Sequence, residues 1–187
     1  MNPEKEIVNL WLNRQGFFTI NDINAGKNRV IGIVAIRPGS QGSNLVQHVE
    51  VSCYVSGAAL TGREKKDILK KFSDLHVEKK VNAIIKDYVA PGTKYEKVLV
   101  TTSPDKDLKE ISVIDFEKVI LEIVAKLDKQ NYRNPVTRTM QLLKYTLMSN
   151  PKNMASLLQE EGKHRVLKKG SRSSFVNALL GHSLFKK

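Results

Sequence analysis

The stretch NRVIGIVAIRPGSQGSNLVQHVEVSCYV, residues 28–55, consists of two apolar runs that flank a polar connection. The runs, at 29–36 and 46–55, are rich in β-branched residues, and the connection at 37–44 contains Pro, Gly and Ser in quick succession. Apolar, β-branched runs separated by turn-forming residues are typical of a β-hairpin. The stretch therefore predicts two neighbouring antiparallel strands, of which the second carries a single carboxylate, Glu50.

The pattern on either side of this hairpin predicts helices and further strands. Apolar residues at helical spacing predict a helix over 3–15, and Gly16 ends it. The other predicted elements are strands at 17–24, 96–103 and 111–116 and helices at 62–89 and 117–130. This order predicts the α/β class, with a mixed central sheet flanked by helices. The lysines of the long helix, Lys65, Lys66, Lys70 and Lys71, are spread around its circumference and are expected to form a solvated face.

The composition changes after about residue 130. We therefore divide the chain into an α/β core at 1–130 and a basic, helical C-terminal appendage at 131–187, which opens with a helix led in by Asn134 and Pro135. The appendage contains eleven Lys and Arg residues against two Glu residues, which is +9 of the formal net charge of +12. The charge asymmetry of the chain is concentrated in this segment.

This excess of positive charge predicts a polyanionic partner. Nucleic acid comes first and an anionic membrane surface second, while the alternative is a solvated basic surface with no specific partner. Aromatic residues make up only 6% of the chain, which favours contacts to the backbone of duplex DNA over stacking on single-stranded bases. The candidate phosphate contacts are Lys163, Arg165, Lys168, Lys169, Arg172, Arg133 and Arg138.

The single cysteine and the lack of long apolar runs predict a soluble cytoplasmic protein. One cysteine, Cys53, allows no disulfide within the chain, and its position in an apolar run predicts a buried, inert thiol. The N-terminal residues have no signal-peptide core, and no apolar run reaches the roughly 20 residues that a membrane helix needs.

The segments NLWLNRQGFFTINDINAGKNRVIGIVAIRP and HVEVSCYVSG resemble the PD-(D/E)XK restriction-endonuclease-like superfamily over roughly residues 5–60. The later KVLVTTS and ISVIDFEKVILEI are similar to the closing strands and helix of that fold. The resemblance implies a restriction-endonuclease-like fold, often dimeric. It also implies a phosphodiesterase site in which an Asp and a Glu-x-Lys on neighbouring strands hold Mg²⁺, with a first-helix Glu completing it.

Under this resemblance, Glu50 matches the acidic residue of the third strand, and Glu6, with Glu4 as a substitute, corresponds to the first-helix glutamate. The chain departs from the pattern at two positions, because Gly32 stands at the metal-binding Asp and Ser52 at the lysine. The candidate catalytic residues are Glu50, Ser52, Glu6 and His48, and the candidate metal ligands are Glu50 and Asp22. Strand alternation places His48, Glu50 and Ser52 on one face.

Three interpretations follow for this degenerate site. The site is inactive and the fold serves as a nucleic-acid-binding module; or Glu6, Asp22 and Glu50 converge on Mg²⁺ with help from His48; or Glu50 is a solvent-facing residue at a strand edge. Restoring the pattern with Gly32→Asp and Ser52→Lys is expected to raise metal affinity.

The first interpretation gives the function that we predict, binding of nucleic acid, foremost duplex DNA, by an inactive nuclease-like fold with no certain cofactor. The alternatives are a Mg²⁺-dependent endonuclease with a rearranged or partner-completed site, and an interaction protein associated with RNA or the ribosome. A homodimer is a further expectation.

Overall fold

The computed structural model describes residues 2–39, 44–54, 60–103, 108 and 110–152. They fall into two compact units, of which the first ends at Lys126 and the second begins at Leu127. The first unit contains the helices α1 (Pro3–Arg14), α2 (Gly62–Ser73), α3 (Leu75–Lys86) and α4 (Phe116–Lys126) and the strands β1 (Phe18–Gly26), β2 (Arg29–Arg37), β3 (Leu45–Ser52), β4 (Glu96–Thr101) and β5 (Ser112–Asp115). The second unit contains α5 (Pro135–Ser149).

The five strands form one mixed sheet in the order β1-β2-β3-β4-β5. β1 pairs with β2 and β2 with β3 in antiparallel fashion, while β3 pairs with β4 and β4 with β5 in parallel. The α/β class, the mixed sheet and the antiparallel hairpin at the centre of the opening stretch are thereby confirmed. β3 is the middle strand, and its residues from His48 to Val51 are buried.

Helices cover both faces of the sheet. α3 packs on the face that carries Val34, Ile36 and Val46. Ile33 and Val49 point the other way and are fully buried as well, and α1 packs against β1, β2 and β3 there. α4 lies beside α1, where Trp11 Nε1 donates a hydrogen bond of 2.7 Å to Glu122 Oε2. α2 and α3 therefore form one layer, and α1 and α4 form the other.

The predicted helix over 62–89 is wrong in one respect, because the chain forms two helices that meet at Asp74. Asp74 has an extended backbone, ends α2, and accepts a hydrogen bond from the His76 N–H at the start of α3. An aspartate at this position stabilises the start of a helix. Its carboxylate also lies 2.6 Å from the Arg29 guanidinium of β2, which ties the junction to the sheet.

The second unit starts with a loop that α5 holds in place. Asn134 caps α5 by accepting from the Thr137 N–H, and Pro135 occupies its first turn, as the sequence predicts. Gln141 and Lys144 donate hydrogen bonds to carbonyl oxygens of the loop.

Within the described ranges, no helix combines the length and the apolar character needed to cross a membrane. The predicted helical structure beyond residue 152 lies outside the described residues.

Candidate functional site: a buried carboxylate network

Glu50 lies on the middle strand of the sheet, beneath α2, and only 2% of it is exposed. The interpretation that it is a solvent-facing residue at a strand edge is therefore wrong. A buried carboxylate is unfavourable unless charged or polar groups compensate it. The partners of Glu50 consequently decide what the site can do.

Three protein groups contact the Glu50 carboxylate. Oε1 accepts a hydrogen bond of 2.8 Å from the Gly32 N–H and lies 3.2 Å from His48 Nε2. Oε2 lies 3.4 Å from the ammonium group of Lys71. Burial alone would raise the pKa of Glu50, but the His48 hydrogen bond, the Lys71 charge and the Gly32 N–H together hold that pKa below its ordinary value. Glu50 is therefore an ionised carboxylate at neutral pH.

His48 is completely buried, two residues before Glu50 on the same face of β3. Its ring packs 4.9 Å from the ring of Phe72 and 6.2 Å from that of Tyr95, measured between centroids. An ionised carboxylate only accepts hydrogen bonds, so Nε2 carries the hydrogen that points at Glu50. Nδ1 is buried and finds no hydrogen-bond partner among the residues that the structure describes.

The environment of Gly32 leaves no space for a side chain. A Cβ atom built on Gly32 would lie 2.7 Å from the Val49 carbonyl oxygen and 3.4 Å from the Glu50 carboxyl carbon. The first distance is far below van der Waals contact, and the obstacle is backbone. The position that the resemblance assigns to a metal-binding Asp therefore holds a glycine whose N–H, not a carboxylate, faces Glu50.

The strands are irregular at this level of the sheet. Asp22 lies between the Asn21–Ile33 and Ile23–Ile31 pairs of β1 and β2 and has a left-handed backbone with φ 50°. Ile31 packs in the same hydrophobic cluster as Val34, although side chains three residues apart point to opposite faces of a regular strand. The alternation is thus interrupted around Gly32, where its N–H is directed to the Glu50 side chain.

The structure does not bring the other predicted ligands to Glu50. Asp22 has a side chain that is 60% exposed and forms an ion pair of 2.8 Å with Lys5. Glu6 lies on α1, in the layer on the opposite face of the sheet from Glu50. Ser52 follows on the same strand and is half-buried. Among the described residues, no group of three or more His, Cys, Asp or Glu side chains is placed to hold a metal ion.

Lys71 is the site residue that the sequence interpretation missed. Lys71 is exposed, as the sequence predicts, with 47% of its side chain accessible, but its ammonium group also reaches the buried Glu50 carboxylate, which the sequence did not predict. The available signal was its position beside the apolar stripe formed by Ile68 and Phe72 on α2. A lysine at such a boundary can lay its apolar stem along the core and place its charge elsewhere.

The candidate phosphate contacts lie mostly beyond the described part of the chain. Lys163, Arg165, Lys168, Lys169 and Arg172 are outside the described residues. Arg133 is exposed in the loop before α5, and Arg138 on α5 donates a hydrogen bond to Gln141.

The chain was compared with protein families, curated proteins and solved structures. No family model matches the chain, and no curated protein matches it either. One solved structure is similar with a TM-score of 0.43 and 16% identity, over 68% of this chain and 73% of the other, and is titled "Crystal Structure of Protein of Unknown Function AF1548".

Proposed function

We propose that the protein binds nucleic acid, foremost duplex DNA, through Lys and Arg contacts to backbone phosphates, and that its nuclease-like core is catalytically inactive. The observation that carries the binding proposal is the +9 charge of residues 131–187 within a chain of net charge +12. Neutralising phosphates with such side chains releases counterions and gives strong, salt-dependent affinity. Cytoplasmic location and assembly as a homodimer stay predictions.

The contacts of Glu50 support the inactive interpretation. Mg²⁺ requires near-octahedral oxygen coordination and gives up its water reluctantly. Glu50 offers one carboxylate, whose oxygens already contact the Gly32 N–H, His48 and Lys71. A divalent cation would have to displace Lys71 and would still lack the second carboxylate, because Gly32 has no room for one.

The contact of Lys71 with Glu50 favours a second candidate, a Mg²⁺-dependent endonuclease with a rearranged site. The resemblance implies a lysine next to the central carboxylate, and Lys71 supplies one from α2 in place of Ser52. The single carboxylate weighs against this candidate, and it requires further ligands from a partner or from residues outside the described ranges.

The test is a mobility-shift titration of duplex DNA with the full chain, in EDTA and in Mg²⁺, over a series of salt concentrations. We expect binding to persist in EDTA. The logarithm of the association constant should fall linearly with the logarithm of the salt concentration. Lys168→Ala with Lys169→Ala should reduce the salt slope by about 2, at roughly one per lost phosphate contact. Lys186→Ala with Lys187→Ala removes the same charge outside the candidate set and is the matched control.

Two outcomes would reject the proposal in different ways. No retardation of DNA at low salt excludes the binding function, and preferential retardation of RNA assigns the partner to RNA instead. Nicking of supercoiled plasmid in Mg²⁺ or Mn²⁺ that disappears in Glu50→Ala excludes the inactive interpretation and establishes the endonuclease.

A further inference from the structure

A groove of about 570 Å³ lies between the C-terminal half of α3 and the loop that leads into β4. The polar and charged residues that line it and matter for its chemistry are Glu78, Asn82, Lys86, Lys94, Tyr95 and Lys97. The groove belongs to the α2–α3 layer, and the Tyr95 ring that lines it lies 6.2 Å from the His48 ring, measured between centroids. None of the sequence-based candidate contacts lies in it.

Two of the three lysines at the groove have no acidic partner among the described residues. Lys97 is held by Glu78, with 3.3 Å between Nζ and Oε1. Lys86 and Lys94 are exposed, and neither forms an ion pair within the described ranges. The groove therefore carries uncompensated positive charge from two ammonium groups.

Neutral donors complete the lining. The Asn82 side-chain amide can donate hydrogen bonds, and so can the phenol of Tyr95. Burial, followed by the negative charge of Glu78, raises the pKa of Tyr95, so its hydroxyl keeps its proton at neutral pH. Ammonium groups accompanied by amide and hydroxyl donors are the groups that proteins use to contact phosphate oxygens.

The distribution of charge within residues 1–130 points to the same layer. Residues 62–97, which include α2, α3 and the start of β4, contain ten Lys and Arg against six Asp and Glu. Residues 1–61 contain five against four, and residues 98–130 contain five against seven. The positive excess of the core thus comes from the layer that carries the groove.

We propose that this groove binds a phosphate group of the nucleic-acid backbone, with Lys86 and Lys94 as its charged contacts. The inference rests on the proposed function and adds a contact surface within the α/β core to the basic C-terminal segment. The same chemistry would also accept a phosphate from a small compound, such as a free nucleotide.

The experiment compares two double variants of the full chain. Lys86→Ala with Lys94→Ala removes the charges of the groove, and Lys79→Ala with Lys80→Ala removes two exposed lysines of α3 outside it. Duplex DNA affinity is measured over a series of salt concentrations, and the fluorescence of Trp11 checks that both variants are folded. We expect the groove variant to reduce the salt slope by about 2 and the control to change it far less.

Equal affinity and equal slope in the two variants would overturn the inference while leaving the proposed function intact. Failure of the wild-type chain to bind DNA would overturn the proposed function. In that case inorganic phosphate and a mononucleotide are titrated by NMR. Saturable shifts of Lys94 and Tyr95 amides that the groove variant abolishes would support a phosphate site for small compounds, and their absence would overturn the inference too.

Discussion

Substitution of Gly32 by alanine tests whether the position that the resemblance assigns to a metal-binding Asp has room for a side chain. The added Cβ would lie 2.7 Å from the Val49 carbonyl oxygen and 3.4 Å from Glu50 Oε1. Because the nearest atom is backbone, either β2 moves away from β3 or the Gly32 N–H turns away from the carboxylate. Overpacking costs about 1–3 kcal/mol, and losing a hydrogen bond to a charged group costs about 1.5–3 kcal/mol. Because either response alone accommodates the added atom, we expect Gly32→Ala to lower the free energy of unfolding by about 1–3 kcal/mol.

Urea unfolding followed by the fluorescence of Trp11, the single tryptophan of the chain and a buried residue of the first unit, measures this loss. Gly62→Ala is the matched control, since nothing lies within 4 Å of its added Cβ, and its effect should stay within about 0.5 kcal/mol. Gly32→Asp, expected from the sequence to raise metal affinity together with Ser52→Lys, should instead be destabilised at least as much as Gly32→Ala. A Gly32→Ala protein as stable as the control, or a stable Gly32→Asp protein that binds Mg²⁺, would refute the closed position.

Three further predictions concern the ionisable groups of the core. Because the pKa of Glu50 is lowered in the folded protein, its contribution to stability is complete above the unfolded-state pKa of about 4.3 and is lost as the pH falls through the folded-state pKa. In urea unfolding measured across acidic pH, Glu50→Gln should therefore lose less stability than the wild type as the pH falls. An equal loss in the two proteins would contradict this. Lys71→Met should raise the Glu50 pKa, as followed by carboxyl NMR, and lower stability by about 1 kcal/mol, because the half-exposed ammonium group is screened by solvent. Lys70→Met, on the exposed surface next to it, should leave both quantities unchanged. Burial and the nearby negative charge of Glu4 raise the pKa of Cys53 to about 12 from 9.0, so its thiolate fraction at pH 8 is about a thousandfold lower and iodoacetamide should alkylate it far more slowly than in urea; equal rates would show that the thiol is reactive.

The sequence was sufficient to predict the α/β class and the central antiparallel pair, because their signals are local, but not the strand order or the parallel pairing of β3, β4 and β5. The β-branched runs of β2 and β3, joined by turn-forming residues, predict the antiparallel pair, and the α/β class follows from the order of elements. The break between α2 and α3 was not predicted, because Leu75 continues the helical spacing of Phe72. Leu75 is nevertheless 61% exposed, since the chain changes direction at Asp74, and spacing alone does not reveal a residue that ends one helix and caps the next.

The candidate site was only partly predictable, because most of its contacts come from different elements. Strand alternation correctly placed His48 beside Glu50, which the 3.2 Å contact confirms. Lys71 depends on how α2 lies over β3, and no local pattern encodes that. The constraint on Gly32 comes from the Val49 carbonyl oxygen of the neighbouring strand. The absence of a motif residue from the sequence therefore does not show by itself whether the site could still hold that side chain. The surrounding structure must show whether there is room for it.

The charged residues that compensate Glu50 are distinct from the lysines that we propose to contact phosphate. Glu50 receives the Gly32 N–H from β2, His48 from its own strand and Lys71 from α2, so an ionised group at the centre of the sheet is compensated without a metal. The ammonium group of Lys71 is paired with the Glu50 carboxylate, so its attraction for a phosphate is partly cancelled. Lys86 and Lys94, on the same layer, have no such partner among the described residues. Loss of Glu50 should therefore reduce stability, whereas loss of these two lysines should reduce affinity, and the two effects should be additive because the groups share no contact.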